Sequence, residues 1–235
     1  MPFLDPFDVI LLDMGDTFMF GLDRYGPEED FFATYRDLGG NLLNEQEVES
    51  IVRGAVERLW RDYEDPEKEG YFPTSLEALR DAAIGMELPA AEWTLLDRVF
   101  FRHEHGRIPH EYAETVRALG DARMLVLLSN IWADSAMYRE LLREAGLEKS
   151  FHSIIYSSDH RMVKPCLRLF EIALRSIDAP RERVVMVGDN LKRDVGGARG
   201  AGIASVWISS GIHEGEPGAF QPDLTISDLR ELALA

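Results

Sequence analysis

The sequence predicts an α/β protein with a doubly wound, mostly parallel sheet and an inserted, all-helical cap domain. Short apolar runs typical of buried strands recur along the chain, and helical patterns separate most of them. One long helical segment interrupts this alternation between the first and second runs. The strand-like runs cover residues 9–12, 124–128, 154–156, 184–187 and 204–208, with a weaker run at 224–226.

The first run is the most informative because it ends on an acidic turn. The apolar residues 9–12 are followed directly by Asp-Met-Gly-Asp-Thr, which begins at Asp13. A buried parallel strand that ends on a carboxylate places this charge at the carboxyl edge of the sheet, where open α/β sheets bind ligands. We therefore expect Asp13 to act as a nucleophile.

The segment between the first and second runs contains helical patterns and no convincing strand. Asn44 and Glu47 form a capping-box pair ahead of apolar residues at helical spacing. We interpret the aromatic residues of this segment, Trp60 among them, as cap core, and His103-Glu104-His105 as a polar helix end. An insertion at this point of the chain would cover the carboxyl edge of the sheet. The predicted units are a core of residues 1–19 and 107–235 and a cap of residues 20–106.

Polar residues also follow the next three strand-like runs. Ser129-Asn130 follows the second run, Lys164 the third, and Asp189 the fourth, with Asp194 five residues further on. A parallel sheet would gather all these residues along one edge. Helices are predicted at residues 136–145, 167–177 and 191–201.

This order of motifs resembles the haloacid dehalogenase (HAD) superfamily of aspartyl hydrolases, which has a Rossmann-like core. The resemblance covers residues 7–17 and the chain from 108 onward, and the insertion resembles the helical cap class of that superfamily. It implies a Mg²⁺-dependent hydrolase of small phosphomonoesters that forms an aspartyl-phosphate on Asp13.

The same residues suggest a metal site. Asp13 and Asp189 would hold Mg²⁺ through carboxylate oxygens. The resemblance adds the backbone carbonyl of Gly15 as a third ligand. Asp194 is expected in the outer shell, where it would orient a metal-bound water or pair with Lys164.

Lys164 and the Ser129-Asn130 pair are the predicted phosphate-binding residues. Lysine is scarce in this chain, with four residues in all, so its place after a strand is informative. Its ammonium would contact both Asp13 and a phosphate oxygen and stabilise the ionised nucleophile. The Ser129 hydroxyl would bind the phosphate together with the Asn130 backbone N–H.

The sequence departs from the family pattern at Gly15. Most phosphatases of the superfamily carry a second acid at this position, two residues after the nucleophile. This acid protonates the leaving alkoxide and then activates water, and such general acid–base catalysis raises the rate roughly a hundredfold or more. Three explanations remain open. Asp16 reaches the leaving group by a different backbone path, a cap residue or solvent supplies the proton, or Asp16 is a structural turn residue and turnover is slow.

Two other functions remain open as well: a 2-haloacid dehalogenase, and a phosphate-binding or regulatory module of low activity. The acid pair Asp189 and Asp194 favours metal-dependent phosphate transfer over the dehalogenase. The regulatory module remains an alternative because Gly15 stands where an active phosphatase would carry its second acid.

Composition limits the partners. The 235-residue chain is 46% hydrophobic, and its formal net charge of −17 argues against nucleic-acid and anionic-membrane surfaces. A single cysteine and the lack of a basic segment followed by an apolar one predict a cytoplasmic protein. The expected partner is a small phosphorylated metabolite; the sequence indicates no oligomeric state.

Overall fold

The computed structural model describes residues 2–209 and 220–233. Within these residues, six strands form one parallel sheet in the order β3-β2-β1-β4-β5-β6, which confirms the predicted α/β class. The strands are β1 (Val9–Leu12), β2 (Met124–Ser129), β3 (Ser153–Tyr156), β4 (Val184–Gly188), β5 (Ala204–Ile208) and β6 (Leu224–Ile226).

The central strand β1 pairs with β2 on one side and with β4 on the other. Its residues alternate between two apolar layers: Ile10 and Leu12 join one buried cluster, while Val9 and Leu11 join the other. The strands β1 and β4 at the centre of the sheet are apolar throughout because both faces of the sheet are covered. The strand order extends from β1 to β2 and β3 on one side and to β4, β5 and β6 on the other, so the carboxyl end of β1 lies at the switch point where such sheets bind ligands.

Helices cover both faces of this sheet, as the doubly wound prediction requires. The core helices are α5 (His110–Ala122), α6 (Ser135–Glu144), α7 (Ser157–His160), α8 (Leu167–Arg175) and α9 (Gly196–Ala201). Buried residues of α5 and α6 belong to the apolar cluster that contains Ile10 and Leu12. Buried residues of α8 and α9 belong to the cluster that contains Val9 and Leu11.

The segment between β1 and β2 contains four helices within the described residues. They are α1 (Phe31–Asp37), α2 (Glu45–Glu64), α3 (Ser75–Ala82) and α4 (Ala90–Glu104). The predicted capping box is present at the start of α2, where the Asn44 side chain accepts from the Glu47 N–H and the Glu47 carboxylate accepts from the Asn44 N–H. One face of α2 packs against α1 and α3 through apolar residues, so the segment has a packed interior.

The two chain passages that join this segment to the core lie side by side. Phe20 and Arg107 form an antiparallel bridge, with backbone N–H to carbonyl distances of 2.8 Å in both directions. The segment also contacts the core directly, since the Ser75 N–H donates to the Trp132 carbonyl and the Phe72 N–H to the Arg161 carbonyl. These contacts place the α2–α3 connection over the carboxyl edge of the sheet.

The predicted helix at 191–201 differs from the observed structure. Leu191–Val195 forms a π-helix that leads into α9. The Asn190 carbonyl accepts from the N–H of both Asp194 and Val195, which widens the first turn.

In the described part of the chain, no helix is both long and apolar enough to cross a membrane.

Candidate active site

The carboxyl edge of the sheet brings together the residues that were singled out from the sequence. Asp13 directly follows β1, Ser129 is the last residue of β2, and Asp189 directly follows β4. Lys164 comes from the loop after β3 and α7. All four residues are buried, so the polar groups of this edge lie in a largely water-excluded site.

Lys164 lies at the centre of this arrangement. Its Nζ is 2.6 Å from Asp13 Oδ1 and 2.6 Å from Asp194 Oδ1, and the residue is 2% exposed. Burial acts to lower the pKa of the ammonium, but the charges and hydrogen bonds of the two carboxylates outweigh it and raise this pKa above its ordinary value. Lys164 therefore stays positively charged at neutral pH and holds two carboxylates in place at the carboxyl edge of the sheet.

Three carboxylates gather around this cation. Asp13, Asp189 and Asp194 each present an oxygen within 4.8 Å of the others. Burial, with the charges of Asp13 and Asp194, raises the pKa of Asp189 to about 9. Burial also raises the pKa of Asp194 to about 6, although Lys164 opposes the shift. The single ammonium of Lys164 does not neutralise the repulsion among the three carboxylates, so a divalent cation would stabilise the cluster. Hard oxygen donors of this kind suit Mg²⁺.

Asp194 is held by contacts at both of its oxygens. Oδ1 accepts from Lys164, and Oδ2 accepts from the Asn190 N–H at 2.9 Å. A Cβ at Gly188 would lie 2.3 Å from Asp194 Oδ2, so only glycine at the end of β4 lets this carboxylate approach the strand. With both oxygens engaged, Asp194 is suited to an outer-shell place beside a metal.

The Asn130 side chain organises the loop that carries Lys164. Its Oδ1 accepts from the Lys164 backbone N–H at 2.8 Å. The neighbouring Ile131 is fixed by Ser157, whose hydroxyl accepts from the Ile131 N–H at 2.9 Å and donates to the Ile131 carbonyl at 2.7 Å. The loops after β2 and β3 are thus tied together, which sets the position of the ammonium relative to Ser129.

The turn after Asp13 is tight. Asp16 has a φ of 47°, in the left-handed region, and its N–H donates to the Met19 carbonyl at 2.8 Å. Aspartate tolerates this conformation better than most residues. At Gly15, an added Cβ would meet only Leu22, at 3.5 Å or more, which is ordinary contact. The backbone at Gly15 therefore accommodates a Cβ at the position where the family pattern has an acid.

A cavity of about 230 Å³ lies above these residues and is lined by both core and cap. The cap contributes Trp60, Tyr63 and Glu64 from the last turns of α2, and the linker before α1 contributes Leu22 and Asp23. This volume suits a small ligand. The interpretation of Trp60 as cap core was incomplete, since the side chain is partly exposed and faces the cavity.

Asp23 lines the cavity and is exposed to solvent. Desolvation by the cavity wall and the charge of Asp16 raise the pKa of Asp23 to about 7. A carboxyl group with this pKa exchanges protons near neutral pH. No feature of the sequence distinguishes Asp23 from the many other acids of the linker and cap.

Glu104 and Arg193 were also missed. Glu104, at the end of α4, is buried and accepts from the Trp132 N–H at 2.5 Å and the Ala133 N–H at 3.0 Å, so it is not a solvated helix end. Arg193 donates to the Lys164 carbonyl at 2.8 Å and to the Tyr63 carbonyl at 2.7 Å. Both side chains join the cap to loops of the core.

Comparisons with known proteins identify the family of this chain. A model of the HAD-hydrolase-like family matches residues 162–232. A phosphoserine phosphatase of Thermus thermophilus is 36% identical to this chain over 97% of the chain and 98% of its own length. The pyrimidine 5'-nucleotidase YjjG of Escherichia coli is 32% identical over 48% of this chain and 49% of its own.

Solved structures share the fold. The magnesium-bound HAD hydrolase YfnB of Bacillus subtilis gives a TM-score of 0.62 at 22% identity, covering 96% of both chains. A 2-haloacid dehalogenase from Pseudomonas syringae gives 0.64 at 24% identity, covering 97% of this chain and 98% of its own. The protein belongs to the haloacid dehalogenase-like hydrolase superfamily. Its place within that superfamily is with the phosphatases.

Proposed function

We propose that this protein hydrolyses small phosphomonoesters with Mg²⁺ through an aspartyl-phosphate on Asp13. The observation that carries the proposal is the position of Lys164 between Asp13 and Asp194, beside Asp189 and beneath a small cavity. A carboxylate that attacks a phosphate dianion faces like-charge repulsion, so a nucleophile surrounded by cations is needed. Lys164 is one such cation, and the three carboxylates can hold a second.

The chemistry follows from these contacts. Asp13 Oδ1 is engaged by Lys164, which leaves the other carboxylate oxygen to attack phosphorus. The bond from phosphorus to the leaving oxygen breaks, and the leaving alkoxide takes a proton. Water then attacks the same phosphorus, the bond to Asp13 breaks, and inorganic phosphate and the free carboxylate are formed. Mg²⁺, held by Asp13, Asp189 and the Gly15 carbonyl, would supply positive charge to the transferring group.

Binding of the phosphate is assigned to Ser129, Asn130 and Lys164. The Ser129 hydroxyl and the Asn130 backbone N–H would face the oxygens that gain charge in the transition state, and such preorganised donors are worth several kcal/mol (about 3–4 each). The Asn130 side chain positions Lys164 by its bond to the backbone N–H. The cap would close over the bound substrate and exclude water.

Proton transfer to the leaving group is assigned to an acid of the cavity wall. Asp16 and Asp23 both line the cavity, and Asp23 has a pKa near neutrality. Asp16 and Asp23 both have a left-handed φ, of 47° and 53°, so backbone conformation does not separate them, whereas the raised pKa of Asp23 suits that residue to donate a proton. We therefore favour Asp23, or a water beside it, as the proton donor, which corresponds to the cap-or-solvent explanation for Gly15.

Phosphoserine is the first substrate to test, because the Thermus thermophilus relative is named for it. The cavity of about 230 Å³ favours a leaving group of that size over a larger one. We also propose a cytoplasmic location, consistent with the single cysteine.

The experiment is a hydrolysis assay with phosphoserine, a generic aryl phosphate and 2-haloacids, each with Mg²⁺ and with a chelator. We expect phosphate release that needs Mg²⁺ and is lost in Asp13→Asn. Asp121→Asn is the matched control, because Asp121 is an exposed residue of α5 outside the cavity. Phosphate release by Asp13→Asn, or halide release without metal, would refute the proposal.

A further inference from the structure

Tyr63 is a cap residue that contacts the loop after β2 inside the cavity. It lies in the last turn of α2 and lines the cavity together with Asp13, Ser129 and Lys164. Its hydroxyl is 2.9 Å from Asn130 Nδ2. Neither the motifs of the core nor the comparisons give this residue a role.

Hydrogen-bond directions determine what the Tyr63 hydroxyl can do. The Lys164 backbone N–H is only a donor, so the oxygen of the Asn130 amide must face it. The NH₂ group of the same amide must then face Tyr63, and the Tyr63 oxygen must accept. The hydroxyl proton is not used in this contact and is left to donate to another acceptor.

The protonation state of Tyr63 is suited to donation. Burial raises its pKa to about 12, although the charges of Arg193 and Lys164 act in the opposite direction. The phenol therefore keeps its proton at neutral pH. A neutral donor beside Lys164 and the phosphate-binding loop has a natural acceptor in a phosphoryl oxygen.

The ring of Tyr63 is held in place from several sides. The Arg193 guanidinium carbon lies 3.3 Å from the ring centroid, and its Nη2 donates to the Tyr63 carbonyl. Trp132 and Phe72 meet the ring edge-to-face, at centroid distances of 5.5 and 5.9 Å. A hydroxyl on a ring so restrained is preorganised, so little entropy is lost when it binds a ligand.

We propose that Tyr63 is a substrate-binding residue supplied by the cap, whose hydroxyl donates a hydrogen bond to the phosphoryl group seated on Ser129 and Lys164. Because the same hydroxyl accepts from Asn130, the contact links cap closure to the loop that binds the phosphate. The proposal rests on the proposed function for the position of the phosphate, and it adds a contact from outside the core motifs.

The test is the binding of inorganic phosphate to the full chain with Mg²⁺, measured by calorimetry, together with hydrolysis of an aryl phosphate. Tyr63→Phe removes the hydroxyl and keeps the ring. A hydrogen bond to a charged group corresponds to about a tenfold to hundredfold change in affinity. We expect the variant to bind phosphate at least about tenfold more weakly. Tyr71→Phe is the control, because Tyr71 is 63% exposed and its hydroxyl accepts from Arg161 outside this cavity.

The proposal stands if Tyr63→Phe weakens phosphate binding while its melting temperature and the affinity of Tyr71→Phe stay at wild-type values. It is overturned if Tyr63→Phe binds phosphate as wild type does, or if weaker binding accompanies a lower melting temperature. A wild-type protein that binds phosphate but hydrolyses no phosphomonoester would overturn the proposed function instead. Normal hydrolysis and phosphate binding by Tyr63→Phe would overturn the Tyr63 contact alone.

Discussion

Lys164→Met would remove the ammonium that lies between two buried carboxylates and keep an unbranched side chain of similar length. Both Nζ–oxygen distances are 2.6 Å, and the Lys164 side chain is 3% exposed. Removing one partner of such a buried pair costs about 3–5 kcal/mol, because the remaining charges are left without a counter-ion. We expect a loss of this size in the free energy of unfolding at about pH 8 in the presence of a chelator.

The loss should be smaller at about pH 5. Burial raises the folded-state pKa values of Asp189 and Asp194, and the charge of Lys164 opposes both shifts, so loss of the ammonium raises these two pKa values further. A carboxyl group whose pKa is raised in the folded state destabilises that state as pH rises from the unfolded pKa to the folded pKa, because the unfolded chain releases its proton first. Wild-type Lys164 stays charged over the whole range, because its folded pKa is raised. The stability difference between wild type and variant therefore grows with pH.

Urea denaturation followed by circular dichroism at several pH values measures this difference. Lys192→Met is the matched control, because the Lys192 side chain is 42% exposed and its Nζ lies 3.4 Å from Glu69. An exposed pair of this kind contributes about 0–1 kcal/mol. A Lys164→Met protein within about 1 kcal/mol of wild type at every pH would refute the reasoning.

Two further substitutions test the geometry of the edge. Gly15→Asp adds a carboxylate where a Cβ meets only Leu22; because Asp23 or a water beside it is the proposed proton donor, we expect kcat on alkyl phosphates, measured by phosphate release, to stay within about tenfold of wild type, and a rise of about a hundredfold or more would contradict that assignment. Gly188→Ala would force the Asp194 carboxylate away from the strand, and we expect kcat/KM to fall about tenfold to hundredfold. In Gly200→Ala, where an added Cβ meets nothing within 4 Å, activity should stay at the wild-type level, and equal activities of the two alanine variants would contradict the account.

The strands were predictable because buried parallel strands are apolar throughout, so their ends are visible in the sequence. The predicted run 124–128 misses only the final residue of β2, Ser129, whose polar side chain ends the apolar pattern. The residues that follow strands were predictable for the same reason. A parallel sheet places Asp13, Ser129 and Asp189 at one edge because each ends or directly follows a strand, whereas the loop after β3 and α7 brings Lys164 to the same edge.

Local geometry beyond the strand ends was less predictable. The spacing of residues 191–201 predicts a regular helix, but the first turn is a π-helix that begins after Asn190. The Asn190 side chain accepts from the N–H groups of Lys192 and Arg193, which competes with a regular helical start. Nothing in the sequence distinguishes this asparagine from an ordinary helix cap.

The cap contributions could not be predicted, because helical periodicity shows which face of a helix is apolar but not what that face covers. Tyr63 follows the apolar face of α2, yet the structure places its hydroxyl on a core loop. The contacts of Glu104 could not be predicted for the same reason, because its partners, Trp132 and Ala133, belong to a loop that is distant in sequence. Such contacts depend on how the cap lies over the sheet.

The central claim is that Asp13 carries the phosphoryl group during turnover, and acid quenching tests it most directly. Wild-type protein is mixed with a radiolabelled phosphomonoester and Mg²⁺, quenched in acid within one turnover, digested and mapped by mass spectrometry. The account predicts a labelled peptide phosphorylated at Asp13 and no label in Asp13→Asn. Phosphate release without label on Asp13, or label on another residue, would contradict it.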